Sequence, residues 1–199
     1  MHPGGVGIRV ALLSAGVAVL LAWQATAQLL LTGRVQLVPS ESRIEFFVRD
    51  NRGGFWGRAT EMEGVGVVRQ TGERAYTADV QVRVPARSVT TGLGLRDAQM
   101  HRTQLVSERF PFLTFEGTVT SDRVRVAQAF PARVQGRLTL RGVTREVSFQ
   151  AGITPLPEGF RGKGEFEIRM SEFGIPIPRF FVFVAEDPVR ITVDLVFRR

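Results

Sequence analysis

Hydrophobic and polar side chains alternate with a period of two through most of this chain. In residues 76–84 every second residue is apolar or aromatic, and the residues between them are polar or charged. Such alternation is typical of a β-strand with one face buried and the other in solvent. The same pattern recurs at residues 44–48, 134–140, 147–153, 160–170 and 189–197. The sequence therefore predicts a mainly β protein in which each strand has one apolar face.

The predicted strands are joined by short segments with turn-forming residues, at positions 70–73, 141–144, 156–159 and 186–188. These connections are too short for crossover helices, so neighbouring strands should be antiparallel. About eight such strands form either a sandwich or a closed barrel. Glycines within strands, such as Gly136, Gly162 and Gly164, favour closure because they permit strong coiling. We therefore expect an all-β fold, an eight-stranded antiparallel barrel with its apolar face inside.

One segment, residues 90–115, departs from the alternation and includes a short predicted helix near residues 95–106. At helical spacing this helix has a polar face with Asp97, Met100, His101 and Gln104 and an apolar face with Leu95, Ala98, Leu105 and Val106. The apolar face would seat the helix across one end of the barrel as a lid. On the polar face an acid stands four residues before a histidine, a spacing at which the two can interact. An ordinary solvated helix pair is the alternative for Asp97 and His101.

The first residues have the features of an export signal. A short segment ending in Arg9 precedes an apolar run at residues 10–22, and residues 25–27 have the small-x-small pattern that signal peptidase recognises. The apolar run is shorter than the roughly 20 residues needed to span a bilayer. We expect a signal peptide at residues 1–27 with cleavage near Ala27, a periplasmic or secreted protein, and one domain over residues 28–199. An uncleaved membrane anchor is the alternative.

Composition excludes several functional classes. The formal net charge is +7, but the arginines are scattered singly along the strands, whereas nucleic-acid binding requires a concentrated basic face. We therefore expect no nucleic-acid partner, while peripheral contact with anionic lipid headgroups stays open. The chain has no cysteine, and His101 is the only histidine after the predicted cleavage site. No disulfide, metal site or cofactor is expected.

The aromatic residues are mostly phenylalanine, with 15 Phe against two Trp and one Tyr. A barrel interior rich in phenylalanine suits a long hydrocarbon better than a sugar, because sugar-binding sites usually have more tryptophan and tyrosine with polar partners. A core filled by phenylalanine is the alternative. An eight-stranded barrel is near the size at which side chains either fill the interior or leave room for one ligand.

Four motifs together resemble the YceI-like family. They are Ser42-x-Ile44-x-Phe46-x-Val48, then Arg96-Asp97-x-x-Met100 with Leu105, Arg109-Phe110-Pro111 and Phe115, then residues 136–145, and finally residues 171–175. The resemblance extends over essentially all of residues 28–199. It implies a lipocalin-like barrel, usually periplasmic, that encloses a long tunnel for an isoprenoid or similar amphiphilic chain, with no established catalytic residue. Relatives commonly carry histidine at the position of Gln99 and a basic residue at the position of His101, both on the predicted lid.

We therefore predict a non-catalytic carrier for a long-chain isoprenoid lipid of the polyprenyl or quinone type. The predicted tunnel wall consists of Ile44, Phe46, Val48, Phe115, Leu138, Leu140, Phe149, Phe166, Ile168 and Phe173. The predicted ligand contacts on the lid are Asp97, Gln99, Met100, His101 and Arg102.

Two other functions remain open at the level of the sequence. A filled-core barrel could dock on a membrane redox or envelope complex through the apolar run at residues 175–184. A hydrolase that uses His101 is the second, although the chain lacks a Gly-x-Ser-x-Gly elbow and a cysteine nucleophile. We expect no enzyme activity, and the sequence does not indicate an oligomeric state.

Overall fold

The computed structural model describes residues 32–125, 128–180 and 182–199. The predicted signal peptide, residues 1–27, lies outside these ranges. The described strands are β1 Gly33–Leu37, β2 Arg43–Asp50, β3 Phe55–Ala59, β4 Glu63–Gln70, β5 Tyr76–Pro85, β6 Val89–Thr90, β7 Phe112–Ser121, β8 Phe130–Leu140, β9 Val143–Leu156, β10 Gly159–Arg169, β11 Arg179–Phe180 and β12 Phe183–Arg198.

Within the described ranges, helical structure is limited to short segments. Helix α1 spans Gly94–Gln99 and continues into a π-helical turn at Met100–Gln104. Short 3-10 turns lie at Pro39–Glu41, Ala86–Ser88 and Met170–Phe173. Among the helices of the described ranges, none has the length and apolar character needed to cross a membrane.

The strands close into an antiparallel barrel. Eight of them follow one another in the order β1-β4-β5-β7-β8-β9-β10-β12, and β12 pairs back to β1 at Leu37 and Phe197. β2 continues the wall position of β1 and pairs with the other half of β12. β3 pairs with β2 and continues the position of β4, and β6 pairs with β3 and continues the position of β5. Three of the eight wall strands are thus each broken into two segments. The predicted all-β fold, the eight-stranded barrel and the short helical insertion are confirmed.

Two buried serines stabilise the breaks in these wall strands. The Ser42 hydroxyl donates to the Val38 carbonyl at 2.7 Å and accepts the Val196 N–H at 3.0 Å. The Ser88 hydroxyl lies 2.8 Å from the Pro85 carbonyl oxygen. A broken ladder leaves backbone groups without their strand partners, and buried groups of this kind must be paired elsewhere. The two hydroxyls provide such partners for the Val38 and Pro85 carbonyls and the Val196 N–H.

Inward-facing glycines lie directly against phenylalanine rings of the neighbouring strands. A Cβ added to Gly164 would lie 2.7 Å from the Phe149 ring, and a Cβ added to Gly136 would lie 2.8 Å from the Phe115 ring. Gly57 stands in the same relation to Phe46. The missing side chains leave space on the wall that the rings occupy. The rings therefore lie along the wall and do not extend across the barrel.

The wall is not hydrogen-bonded uniformly between β9 and β10. These strands pair only over Gly159–Gly164, and the rest of β10 pairs with β12 alone. The turn Met170–Phe173 packs against β9 on this side of the barrel. Phe173 is only 1% exposed and belongs to a core cluster with Leu140, Met170 and Ile175. Its ring fills the space where the two strands separate.

The scattered arginines lie on the outer face of the barrel, where they meet acids of neighbouring strands. Ion pairs join Arg83 to Glu63 at 3.3 Å and Arg137 to Glu116 at 3.0 Å. Exposed pairs of this kind contribute little to stability, about 0–1 kcal/mol each. Their location is what the alternating pattern predicts, with charged side chains outside and apolar ones inside.

We expect Ser42→Ala to lower the free energy of unfolding by about 1–3 kcal/mol, because it leaves the buried Val196 N–H without an acceptor. Urea unfolding followed by circular dichroism would measure the change. Ser148→Ala is the matched control, since Ser148 is exposed on β9 and its loss should change the free energy by no more than about 0.5 kcal/mol. Equal stability of the two variants would contradict the role given to Ser42.

Candidate functional site

The barrel encloses one long cavity with a volume of about 830 Å³. Ligand cavities in proteins are typically about 300–1,000 Å³, so this one lies in the upper part of the range. Along β8 its lining extends from Phe130 to Leu140, about 33 Å of extended strand. With strands tilted by about 40° to the barrel axis, the cavity is roughly 25 Å long. The interior is open, so the filled-core alternative does not describe this barrel.

The cavity wall is almost entirely apolar. Its lining includes the inward side chains that the alternation predicts on β5 (Ala78, Val80, Val82, Val84), β9 (Phe149, Ala151, Ile153) and β12 (Val189, Ile191, Val193, Leu195, Phe197). The Phe149 and Phe166 rings stack along the wall with their centroids 4.5 Å apart and their planes 15° apart. A surface of this composition binds by burial of hydrocarbon and not by polar recognition.

One end of the cavity is closed by a hydrophobic cluster of Tyr76, Val124, Phe130, Ile153 and Phe160. The Val124 N–H donates to the Arg74 carbonyl at 3.1 Å, which holds the loop after β7 across this end. Burial raises the pKa of the Tyr76 hydroxyl, which therefore stays neutral here. This end offers an apolar floor.

The other end is covered by α1 and the π-helical turn that follows it. In the π-turn the Leu105 N–H bonds to the Met100 carbonyl, five residues earlier, at 2.8 Å. This wider turn aligns residues five apart, so Gln99 and Gln104 both reach the cavity, together with Met100. Regular α-helical spacing predicts Gln104 on the same face as Asp97 and His101. That prediction is wrong, because the π-turn rotates the second half of the lid.

The apolar seating predicted for the lid is also only partly correct. Leu105 is buried against the barrel core, but Leu95 is 83% exposed and Ala98 faces solvent. Val106 follows the π-turn with φ of 48°, a left-handed conformation that is costly for a β-branched residue. The chain thus leaves its helix at Val106, which does not continue the predicted apolar stripe.

Asp97 holds the start of the lid and does not face the cavity. Its carboxylate accepts hydrogen bonds from the Thr90 hydroxyl at 2.6 Å, the Thr91 hydroxyl at 2.6 Å and the Thr91 N–H at 2.7 Å. Burial alone would raise the pKa of Asp97, but these hydrogen bonds outweigh it, with a smaller contribution from His101, and lower the pKa below 3.8. The carboxylate is therefore a structural anchor for the lid.

His101 points away from the cavity toward a buried serine. Its Nδ1 lies 3.0 Å from the Ser107 hydroxyl. Ser107 is almost fully buried and is not part of the cavity lining. A nucleophilic serine must meet its substrate, and this serine lies apart from the cavity. In the part of the chain that the structure describes, no three His, Asp or Glu residues are grouped so that they could hold a metal ion.

Arg96, the first residue of the Arg-Asp-x-x-Met motif, also lines the cavity, although it is not among the predicted ligand contacts. Its guanidinium carbon lies 4.0 Å from the centroid of the Phe55 ring, and its Nε donates to the Thr91 hydroxyl at 3.0 Å. Contact between a guanidinium and an aromatic face is favourable and fixes the orientation of both groups. With Gln99 and Gln104, Arg96 gives the lid end of the cavity three polar side chains that can donate hydrogen bonds, whereas the cluster at the floor has only the Tyr76 hydroxyl.

The structure places most of the predicted ligand contacts on the cavity lining. The residues on it are Ile44, Phe46, Val48, Gln99, Met100, Phe115, Leu138, Leu140, Phe149, Phe166 and Ile168. Asp97, His101 and Arg102 lie on other faces of the lid, and Phe173 fills the gap beside β9, so these four do not line the cavity. Contact between the lining residues and a ligand stays a prediction.

The sequence motifs converge at the lid end. Phe110 of the Arg-Phe-Pro motif lies where a side chain on Gly142 would stand, and Arg141 donates to the Gly174 carbonyl. Arg141 and Gly142 both have positive φ, 50° and 75°, which matches a tight type I′ hairpin turn between β8 and β9. These motifs thus form the frame around the lid.

Comparisons with known proteins agree with this architecture. A model of the YceI-like domain matches residues 36–197, which is most of the chain. A comparison with curated proteins found no match.

Solved structures with the same fold include Burkholderia cenocepacia BcnA, with 16% identity, a TM-score of 0.66, and coverage of 80% of this chain and 98% of that one. A polyisoprenoid binding domain from Saccharophagus degradans has 14% identity and a TM-score of 0.66, with coverage of 84% and 98%. A Campylobacter jejuni YceI protein has 14% identity and a TM-score of 0.54, with coverage of 72% and 84%. At these identities the likeness concerns the fold.

We expect Asp97→Asn to lower the free energy of local unfolding of the lid by about 1–2 kcal/mol at pH 7, because it weakens the hydrogen bonds to Thr90 and Thr91. Hydrogen exchange of the lid amides would measure this change. Because the folded pKa lies below the ordinary 3.8, the contribution of Asp97 is present above that pH and is lost as the pH falls through the folded value. The difference between the parent and the variant should therefore shrink below pH 3.8. Asp122→Asn, in an exposed loop, should show no effect on the lid.

Proposed function

Because the chain belongs to the YceI-like family, we propose that it binds a long-chain isoprenoid lipid, of the polyprenyl or isoprenoid quinone type, inside the barrel. The observation that carries this proposal is the long, nearly apolar cavity with a floor at one end and polar groups at the other. The structural neighbour described as a polyisoprenoid binding domain supports the same class of ligand here. The lipid tail would occupy the barrel and its headgroup would lie at the lid.

The geometry of the wall is suited to a branched hydrocarbon. Each buried methylene contributes about 0.8 kcal/mol, so affinity rises with the number of isoprene units that fit. The flat faces of Phe115, Phe149 and Phe166 alternate with smaller Val and Ala side chains along the cavity. At the lid, Arg96, Gln99 and Gln104 would donate hydrogen bonds to oxygen atoms of the headgroup.

We further propose that the protein acts as a non-catalytic carrier in the periplasm after export. His101 and Ser107, the serine–histidine pair of the described residues, lie outside the cavity lining. A carrier requires only that its ligand be enclosed and released, and the polar residues at the lid end serve to orient a headgroup. The export signal predicted at residues 1–27 supports this location.

We expect solvent extracts of the protein, purified from the cell in which it is naturally made, to contain a stoichiometric long-chain isoprenoid by mass spectrometry. Ala78→Phe places a ring inside the cavity without removing a core contact. The ring should take the space of at least two methylene groups of the lipid, and because each buried methylene contributes about 0.8 kcal/mol, binding should weaken about tenfold or more. Gln81→Phe is the matched control, because Gln81 is exposed on the same strand. Extracts that repeatedly lack such a lipid would refute the proposal.

We also expect Gly164→Ala to weaken lipid binding, because the added Cβ would lie 2.7 Å from the Phe149 ring and force it off the wall into the cavity. The loss of its stacking with Phe166 would cost about 0.5–1.5 kcal/mol of stability as well. Titration with a fluorescent isoprenoid analogue would measure the binding. Gly152→Ala makes the same change where a Cβ meets nothing within 4 Å, and should bind as the parent does. Equal affinities for the two variants would show that the ring position does not shape the site.

A further inference from the structure

We propose that the mouth of the cavity docks on an anionic lipid bilayer. The docking surface, called here the mouth rim, consists of residues 49–56, 92–102, 179–180 and 182–184. This inference rests on the proposed function, because a carrier of a membrane lipid must take up or deliver that lipid at a bilayer. Three features of the rim support membrane docking: the contacts between its segments, the exposure of its apolar side chains and its net positive charge.

Contacts between the segments make the mouth rim one continuous surface. The Arg96 guanidinium lies over the Phe55 ring, which joins the lid to the hairpin between β2 and β3. The Asn51 side chain donates to the Val182 carbonyl at 2.8 Å and accepts the Val184 N–H at 3.3 Å, which joins that hairpin to the turn before β12. The hairpin therefore connects the lid to the turn before β12.

The cavity reaches solvent through this rim. Leu93, Leu95 and Arg52 line the cavity and are also exposed on the outside of the protein. The opposite end has the floor around Val124 and Phe130, both buried. The rim is thus where a lipid tail would pass between the barrel and its surroundings.

Apolar side chains at the rim project into solvent to an unusual degree. Leu95 is 83% exposed, Val182 59% and Leu93 53%. Leucines at the start of a helix normally turn toward the core, so their exposure has an energetic cost in water. Trp56, in the hairpin between β2 and β3, is also exposed, and tryptophan is favoured at the boundary between lipid and water. Insertion of these side chains among lipid headgroups would remove the cost.

The charge of the rim is complementary to an anionic bilayer. Its arginines are Arg49, Arg52, Arg96, Arg102 and Arg179, and its only acids are Asp50 and Asp97. Both carboxylates accept hydrogen bonds from within the protein, Asp50 from the Arg52 N–H and Asp97 from Thr90 and Thr91. The net charge of the rim is therefore +3. Basic residues near an anionic membrane surface are attracted to it electrostatically, and apolar side chains that enter the headgroup region add to this attraction.

A bilayer fits these observations better than a protein partner does. The exposed apolar groups surround an opening instead of forming a flat patch, and they alternate with arginines. A bilayer presents hydrocarbon beneath anionic headgroups, which matches apolar tips beside basic side chains. The cavity would then be continuous with the hydrocarbon from which its ligand comes.

The test is sedimentation of the protein with vesicles of phosphatidylcholine alone or with 30% phosphatidylglycerol (a charge fraction of roughly one third, chosen to make the surface anionic). We expect binding to the anionic vesicles that weakens as salt shortens the range of electrostatic attraction, and little binding to the neutral ones. The variant with Val182→Asp and Arg102→Glu alters two rim residues that do not line the cavity. It should bind anionic vesicles at least about tenfold less tightly.

Matched controls separate docking from lipid binding in the cavity. Val67→Asp with Arg133→Glu makes the same substitutions at exposed positions on the barrel side and should adsorb as the parent does. The rim variant should still bind a soluble fluorescent isoprenoid analogue, whereas Ala78→Phe should bind the analogue about tenfold or more weakly and still adsorb to vesicles. Failure of the analogue to bind any form would refute the cavity ligand without refuting docking. Vesicle binding that is absent, insensitive to salt or unchanged in the rim variant would overturn the proposal. Insensitivity to salt would mean that charge does not drive adsorption, and an unchanged rim variant would indicate another contact surface.

Discussion

The contact between phenylalanine rings and inward-facing glycines is the constraint on which this barrel depends. Glycine in a strand costs conformational entropy and leaves the backbone bare. In this protein Phe46, Phe115 and Phe149 cover that backbone, each lying where a neighbouring glycine lacks a side chain. The rings gain contact area without reaching the barrel axis. Large aromatic residues, which would otherwise fill an eight-stranded barrel, therefore line a cavity.

The two ends of this cavity have opposite chemistry, and the difference gives the barrel a direction. At the floor, a mainly hydrocarbon cluster around Val124 and Phe130 closes the cavity, with the Tyr76 hydroxyl as its polar group. At the lid, a π-turn brings Gln99 and Gln104 to the interior, and Arg96 is held over Phe55. An amphiphile would bind with its tail toward the floor and its polar group at the lid. The exposed leucines and arginines of the mouth rim stand at the same end, so the surface outside continues the polarity inside.

Strand faces were predictable from the sequence, and most of the lid was not. Phe46, Phe149 and Ile168 were assigned to the wall because alternation along one strand is a local property. Phe173 was assigned with them, but β9 and β10 separate near it and its ring fills that gap. The ligand contacts predicted for Asp97 and His101 failed because these side chains bond to Thr90, Thr91 and Ser107. Gln104 reaches the cavity instead, because the π-turn changes the spacing along the second half of the lid. Nothing in the local pattern distinguishes that turn from a regular helix.

A period of two requires only the geometry of an extended backbone, so the order of residues alone was enough to predict an antiparallel barrel with an apolar interior. The family motifs likewise depend on short runs of sequence. Whether the interior is filled or open is a different kind of property, because it depends on which residue of one strand stands beside which residue of the next. Gly164 and Phe149 lie 15 positions apart in the chain, and only the register of β9 against β10 brings the ring over the bare backbone. The cavity, the orientation of the lid and the continuous mouth rim were therefore decided by tertiary structure.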